Sequence, residues 1–534
     1  MTEDHPPSTT SAMPPTAPVE GQFCHVFPRC DEAGLVRLAE LLALKLKTGD
    51  AVALIGDLGA GKTTLARALI RALIGDPNAE VPSPTFPLAQ DYTTPRLLVR
   101  HYDFYRLGGP DDVAELGFDE AIREGAAIVE WPERAWSALP VDRIEIAIES
   151  SDAGDSCRCV TLTGRGAAAA KGARIVELAD FLGDLPLADA WADATVAYLQ
   201  GDASPRAYAR IVAGGSHSAI LMDAPRMPDG PPVRDGLPYS RIAHLAEDVG
   251  PFVAIAQHLA AADLSVPAIL ASDLDAGLLL IEDLGDLTFA RALAAGDSQH
   301  DLWQAALGPL ARLHGAPLPA GLATYDARAL TIECELVVDW MWPAVTGEPA
   351  TESVRAAYAE AWRPLLARVA DRPENIVLRD YHSPNLMWLP DRVGHRRVGI
   401  LDFQDAVAGP AAYDVVSLLQ DARLDVAADL ERGLLDEHVA TLAAAGRITD
   451  TQAFRTDYAI LGAQRASKIL GIFVRLSRRD GKHGYLAHLP RISDYLERNL
   501  SHPALADVRR WYDTHLPAAR RSALPKPASR GGPA

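Results

Sequence analysis

"AVALIGDLGAGKTTLARALIRALIG" (residues 51–75) decides the fold of the first half of this chain. Its first five residues are apolar and read as a short buried strand. From Thr63 the apolar residues fall at helical spacing and stop at Gly75, a helix-ending residue. Between strand and helix, "GDLGAGKT" (56–63) has the pattern G-x-x-x-x-G-K-[ST]. Gly56, Gly59 and Gly61 let the backbone wrap closely around phosphate oxygens, with Asp57, Leu58 and Ala60 completing the cradle. Lys62 is placed to reach the β- and γ-phosphates, Thr63 to ligate Mg²⁺, and Thr64 lies in the first helical turn. The helix N-terminus adds its partial positive charge. A nucleotide triphosphate and Mg²⁺ are the expected ligands.

Working outward, residues 31–47 show helical spacing of Leu and Ala, and strands are expected at 96–104, 125–131, 141–149 and 157–163. A short helix is expected around 111–123. Alternating strands and helices predict an α/β unit with a largely parallel sheet. An NTPase of this kind needs a carboxylate at a strand end to help hold the metal. Asp103 ends "RLLVRHYD" and Glu130 ends "GAAIVE", so both are candidates.

The 534 residues are too many for one core. The net charge of −20 argues against strong direct binding of nucleic acid or anionic membrane. Five scattered cysteines give no disulfide framework, and the C-x-C at Cys157 and Cys159 lacks the second pair that a zinc site needs. The polar, Pro-rich first 20 residues read as a disordered leader, with no signal peptide. No apolar run reaches membrane-spanning length, so a cytoplasmic location is expected.

The ordered set "GDLGAGKTT", "PSPTF" (82–86), "HYDFYRL" (101–107) and "VEWPER" (129–134) resembles the TsaE family, the small ATPases of tRNA threonylcarbamoyladenosine synthesis. The resemblance covers about residues 22–165. It implies Lys62 and Thr63 at phosphate and Mg²⁺, Glu130 as a metal-site acid and Asp103 as the essential acid of its motif. It further implies a switch-like loop at Ser83–Thr85, and Trp131 near nucleotide or partner. The implied partners are TsaD and TsaB, so contact with tRNA need not come from this chain.

A second pattern follows. "GRGAAAAKGARIVELADFLGD" (164–184) shifts in composition and reads as a linker. Strands are expected at 194–200, 207–213, 217–223, 267–272 and 277–283, with a helix at 249–263 and mostly helix thereafter. A small β-rich lobe before a helical lobe is the outline of a kinase. Within the helical part, "NIVLRDYHSPNLMWL" (375–389) sets Asn385 five residues after Asp380, and "GILDFQDA" (399–406) follows. In phosphoryl transfer to a hydroxyl, one Asp accepts the proton while an Asn and a second Asp hold the metal. Asp380, Asn385 and Asp402 fill those roles in order.

These stretches resemble the aminoglycoside phosphotransferase and choline kinase superfamily, although Leu378 stands where that family usually has His. With "GDASPRAYARIV" (201–212), "GPAAYDVVSLLQD" (409–421) and "QRASKILGIFVRL" (464–476), they look like the narrower AmgK-type group, the anomeric kinases of N-acetylmuramate and N-acetylglucosamine. The resemblance implies an ATP-dependent sugar kinase. Another small alcohol, an aminoglycoside, or a catalytically dead binding module are the alternatives. No lysine occurs in residues 172–467, and Met222 stands near the place of the usual phosphate-binding lysine. Arg206, or backbone amides of the 201–206 loop, is the expected replacement, with Arg210 second.

The expected fold is therefore an α/β P-loop NTPase domain followed by a two-lobed α+β kinase-like (aminoglycoside phosphotransferase) domain. The expected boundaries are a leader at 1–20, the ATPase at 21–165, a linker at 166–185, the kinase at 186–515 and a disordered tail at 516–534.

Overall fold

In the computed structural model, which describes residues 21–151, 157–183, 194–199, 206–213, 217–370, 372 and 374–521, the strand read from 51–55 lies at the centre of a seven-stranded sheet. Its order is β1 (Gln22–Cys30), β7 (Arg158–Arg165), β6 (Arg143–Ser150), β2 (Ala51–Ile55), β5 (Gly125–Glu130), β4 (Leu98–Asp103), β3 (Ala89–Thr93). The four strands β6, β2, β5 and β4 run parallel, and the outer strands are antiparallel. Strand side chains alternate between faces. Val52 and Leu54 thus join one apolar cluster with helices α1 (Glu32–Lys45), α2 (Lys62–Ile74) and α5 (Ala168–Gly183). Ala53 joins a second cluster on the other face with α3 (Pro110–Glu115) and α4 (Phe118–Glu124).

Sheet register sets up the first site. Leu54 of β2 and Asp103 of β4 both pair with Glu130 of β5. The loop that follows β2 and both strand-end acids therefore share the carboxyl edge of the parallel strands, where open α/β sheets hold their ligands.

A five-stranded sheet is built from β8 (Thr195–Leu199), β9 (Ala207–Ala213) and β10 (His217–Asp223), then, after a small hairpin of β11 (Pro232–Arg234) and β12 (Leu237–Pro238), from β13 (Ile269–Asp273) and β14 (Leu278–Glu282). Its order is β13, β14, β10, β9, β8. These strands fall within about two residues of the sequence reading.

The chain divides into two compact units, one of residues up to Ala224 with Ala271–Leu280, the other of Pro225–Leu270 and everything from Ile281. That division differs from the expected boundaries, because β8–β10 belong with the P-loop sheet. Two further expectations change. The 166–185 segment is mostly the helix α5, whose Ile175, Val176 and Leu178 are buried. An alanine-rich stretch that also carries spaced Ile, Val and Leu has enough apolar surface to pack. Residues 516–521 are ordered and not part of a disordered tail: Arg521 is fully buried in a helix at Ala518–Arg521 and donates to the Leu516 carbonyl at 2.6 Å. The 1–20 leader, residues 184–185 and the tail beyond 521 lie outside the described residues.

The second unit is mainly helical, with long helices at Gln299–Leu313, Glu352–Ala370 and Thr451–Asp480. Two short antiparallel pairs interrupt it. β15 (Asn375–Val377) pairs with β18 (Val407–Gly409), and β16 (Leu386–Trp388) with β17 (Val398–Ile400). The pairing brings the 378–385 loop beside the 401–406 loop. No helix among the described residues is long and apolar enough to cross a membrane.

Candidate active sites

At the first site the loop 56–61 turns tightly from β2 into α2. Gly56 has φ +147°, and a Cβ there would lie 2.4 Å from the Ile148 carbonyl. Only glycine fits that position. Gly61 caps α2 in the left-handed region. Lys62 is 4% exposed and donates to the carbonyls of Gly56 at 2.6 Å and Asp57 at 2.9 Å. Its ammonium lies 3.7 Å from the centre of the Trp131 ring, a cation–π contact. Burial lowers the Lys62 pKa, a change opposed by Glu130, Glu133, Asp103 and Asp57.

Thr63 Oγ1 donates to Glu130 Oε2 at 2.8 Å. Both oxygens are hard donors of the kind that Mg²⁺ takes. Asp103 accepts from Thr85 Oγ1 at 2.9 Å and from the Tyr105 amide at 3.0 Å, and Thr85 bonds Ser83 at 2.8 Å. The Ser83–Thr85 loop is thus tied to the strand-end acid. Leu58, 84% exposed at the tip of the cradle, makes no packing contribution there. Asp57, Gly59 and Ala60 lie on the same loop and Thr64 on the first turn of α2, where the sequence put them.

His101 was not foreseen. Fully buried, its Nε2 lies 2.9 Å from Glu130 Oε1. Glu130 is therefore held from both sides, by His101 and by Thr63. The signal was present in "HYD": residues two apart on a strand share a face, so His101 and Asp103 had to point the same way.

The second unit assembles the kinase loop. Asn385 Nδ2 donates to the Asp380 carbonyl at 3.0 Å and to Asp402 Oδ2 at 3.3 Å. Gln404 Nε2 donates to Asp402 Oδ1 at 2.9 Å, a contact the sequence reading gave no role. Asp402 and Arg379 both have left-handed backbones, φ +58° and +69°. Such residues persist only where the surroundings over-determine them, and they gather at functional sites.

The surroundings do so here. Asp414 accepts from the amides of Leu378 at 2.7 Å and Arg379 at 2.9 Å, and Asp421 accepts from the Ser383 amide at 2.7 Å. Tyr381 donates to the Ala306 carbonyl at 2.7 Å. Burial pushes the Asp414 carboxyl up to about 7 against the pull of those two amides. Asp414 is thus a brace of the loop.

Beneath the loop lies a buried charge cluster. Glu333, 0% exposed, accepts from Lys468 Nζ at 2.8 Å, from Arg379 and from the Tyr325 hydroxyl. Burial alone would raise Glu333, but Lys468 and Arg379 outweigh it and bring its pKa to about 2. Asp380 keeps a carboxylate 44% open to water. Desolvation by the protein around it pushes its pKa up, yet the charges of Lys468, His382, Arg465 and Arg379 prevail and hold it below the ordinary carboxylate range. His382 stands 4.0 Å from Asp380, and its own pKa is lowered by burial.

In the small lobe, Met222 is 1% exposed on β10. Arg206 stands directly before β9, Arg210 lies within β9, and the 201–205 part of the proposed phosphate loop lies outside the described residues. Among the described residues no group of three His, Cys, Asp or Glu could hold a metal.

Two family models match the chain. Residues 30–159 match "Threonylcarbamoyl adenosine biosynthesis protein TsaE", and residues 195–448 match the "Phosphotransferase enzyme family". An N-acetylmuramate/N-acetylglucosamine kinase of Caulobacter vibrioides is 40% identical over 341 residues, 60% of this chain and 92% of the relative. A kinase of the same name from Pseudomonas putida is 34% identical over 339 residues, 62% of this chain and 93% of the relative. The tRNA threonylcarbamoyladenosine biosynthesis protein TsaE of Rickettsia conorii is 38% identical over 169 residues, 32% of this chain and 90% of the relative.

Proposed function

Because this chain belongs to the TsaE family through its first part and to the N-acetylmuramate/N-acetylglucosamine kinase group of the phosphotransferase family through its second, we propose that it is one polypeptide with two ATP-using activities. The TsaE part hydrolyses ATP in support of tRNA threonylcarbamoyladenosine formation, with TsaD and TsaB as partners. The kinase part transfers the γ-phosphoryl group of ATP to the anomeric hydroxyl of N-acetylmuramate or N-acetylglucosamine in cell-wall recycling. We assign the two functions to residues 21–165 and 186–515 and place the protein in the cytoplasm.

One observation carries the kinase reading: Asn385 donates both to the main-chain carbonyl of Asp380 and to the Asp402 carboxylate, tying the two loops together at these three residues. In the reaction, the sugar O1 forms a bond to the γ-phosphorus as the bond from that phosphorus to the bridging oxygen of ADP breaks. The O1 proton passes to Asp380, whose lowered pKa keeps it ionised and ready to accept. Asn385 and Asp402 would hold Mg²⁺, which when bound neutralises phosphate charge. Arg206 supplies the missing lysine's positive charge.

In the first part, Lys62 exchanges the carbonyls of Gly56 and Asp57 for phosphate oxygens. Thr63 and Glu130 would hold Mg²⁺, and Asp103 links the nucleotide to the Ser83–Thr85 loop. Trp131 lies against the nucleotide or the partner. The test of the kinase reading is to incubate the purified chain with ATP and a panel of amino sugars and to look for sugar 1-phosphate. Phosphorylation of an aminoglycoside or choline in preference to those sugars would replace it.

A further inference from the structure

The first compact unit joins elements that the two families hold separately. Its P-loop sheet and helices fall in the TsaE match, while β8–β10 fall in the phosphotransferase match that begins at 195. One apolar cluster runs through both. Leu38 of α1, Leu69 of α2 and Leu178 of α5 belong to the same buried group as Val196 of β8, Ile211 of β9 and Leu221 of β10.

Polar contacts fix the register of this packing. Glu40 of α1 accepts from the Val196 amide at 3.0 Å, and the Arg96 guanidinium lies 4.2 Å from the centre of the Tyr198 ring. The most specific contact is at Asp223, the last residue of β10. Its carboxylate is 3% exposed. Lys45, in the last turn of α1, pairs with it, and Arg174 of α5 donates to Oδ1 through Nε at 3.0 Å and Nη2 at 2.7 Å. Arg174 also donates through Nη1 to the Ala276 carbonyl at 2.7 Å, in the turn before β14. Nη1 also pairs with Glu177 of the same helix at 2.7 Å, and a planar fork that holds the Asp223 carboxylate and the Ala276 carbonyl together fixes direction as well as charge.

Both cations that compensate the buried carboxylate of the kinase sheet thus come from the P-loop module. The Caulobacter relative is 92% covered by its match of 341 residues, which leaves it no length for such a module. The arrangement therefore belongs to the fused chain. We infer that the P-loop module is the structural base of the kinase small lobe, and that Arg174 is a positioning residue for β10 and the turn before β14. The consequence for catalysis rests on the kinase reading above; the structural dependence does not.

Arg174 is well suited to a test, because α5 packs onto its own sheet through Ile175, Val176 and Leu178 and not through Arg174. In full-length protein, Arg174→Leu should speed amide hydrogen exchange in 207–213 and 217–223 by about tenfold or more, with the P-loop strands unchanged. The kinase KM for ATP should rise about fivefold or more, with the sugar KM and the P-loop ATPase rate at wild-type values. Asp223→Leu should do the same. The effect of the double variant Arg174→Leu/Asp223→Leu should fall well short of the sum of the two single effects, since both remove the Arg174–Asp223 pair, although Asp223→Leu also frees Lys45 and Arg174→Leu also frees the Ala276 carbonyl. Additive effects, or exchange at wild-type rates in Arg174→Leu, would overturn the proposal. If Arg174→Leu proves insoluble, Arg174→Lys keeps one charge without the fork, and wild-type exchange in that variant would overturn it equally. Should no sugar be phosphorylated even by wild type, the exchange arm still decides this proposal while the kinase reading falls.

Discussion

Replacing Glu333 by Gln should unsettle the kinase loop without touching any reacting group. In the native chain one buried carboxylate faces two cations, Arg379 and Lys468, and also accepts from Tyr325. The substituted amide would keep the shape and one acceptor oxygen but leave both cations without a counter-charge. Removing one partner of a buried ion pair costs about 3–5 kcal/mol. An independent route gives a similar figure: holding the carboxyl at about 2 instead of its ordinary 4.5 corresponds to about 3 kcal/mol. That loss should lower the melting temperature by roughly 6–12 °C.

The pH dependence has a definite sign. A carboxyl with a depressed folded pKa stabilises fully above its unfolded pKa, near 4.5, and loses that contribution as pH falls toward 2. The gap between wild type and Glu333→Gln should therefore be constant from pH 7 to about 5 and close progressively below pH 4.5. Activity should fall too, because Arg379 holds a left-handed backbone immediately before Asp380. Displacing the base by about 1 Å costs roughly a hundredfold in kcat. Urea unfolding across pH 3–7, with sugar-dependent ATP consumption at pH 7, measures both. A variant as stable as wild type at pH 7, or a gap that stays constant down to pH 3, would refute the reasoning.

Three further outcomes are expected. Glu130→Gln removes the charge shared by Thr63 and His101 and should cut the P-loop ATPase rate by about a hundredfold or more while leaving sugar phosphorylation intact, as parallel steady-state assays would read. Gly56→Ala forces a Cβ to within 2.4 Å of the Ile148 carbonyl at φ +147° and should destabilise by about 2–3 kcal/mol, visible in thermal unfolding and in lost nucleotide binding. Arg206→Ala should raise the kinase KM for ATP by about tenfold, the loss of one charge-assisted phosphate contact; unchanged KM and kcat would return the missing lysine's role to backbone amides or to Arg210.

Much of this was readable from sequence because its cues are local. The strand, glycines, lysine and threonine of 51–75 are contiguous, and the kinase acids lie within 23 residues, so each set could be read together from its spacing and its flanking strand. Edge strands were not readable. β3, "AQDYT", is mostly exposed and polar, and β1 carries a proline, so neither shows the apolar alternation of a half-buried strand. The α5 helix hid behind its composition, since Gly172 reads as a breaker. In the structure it is a close contact, where a Cβ would lie 3.1 Å from both Leu162 and Phe23. The Glu333 cluster had no sequence signal at all. Its ion-pair partners are 46 and 135 residues away, and only the fold brings them together.

The central claim is that two separate phosphate chemistries share this chain. The most direct measurement is of sugar 1-phosphate formation and sugar-independent ATP hydrolysis, side by side, in full-length wild type, Lys62→Ala and Asp380→Asn. Lys62→Ala should abolish the sugar-independent hydrolysis and leave the sugar product at wild-type yield. Asp380→Asn should abolish the sugar product and leave the hydrolysis untouched. Loss of both activities from either single substitution, or sugar phosphorylation that survives Asp380→Asn, would contradict the account.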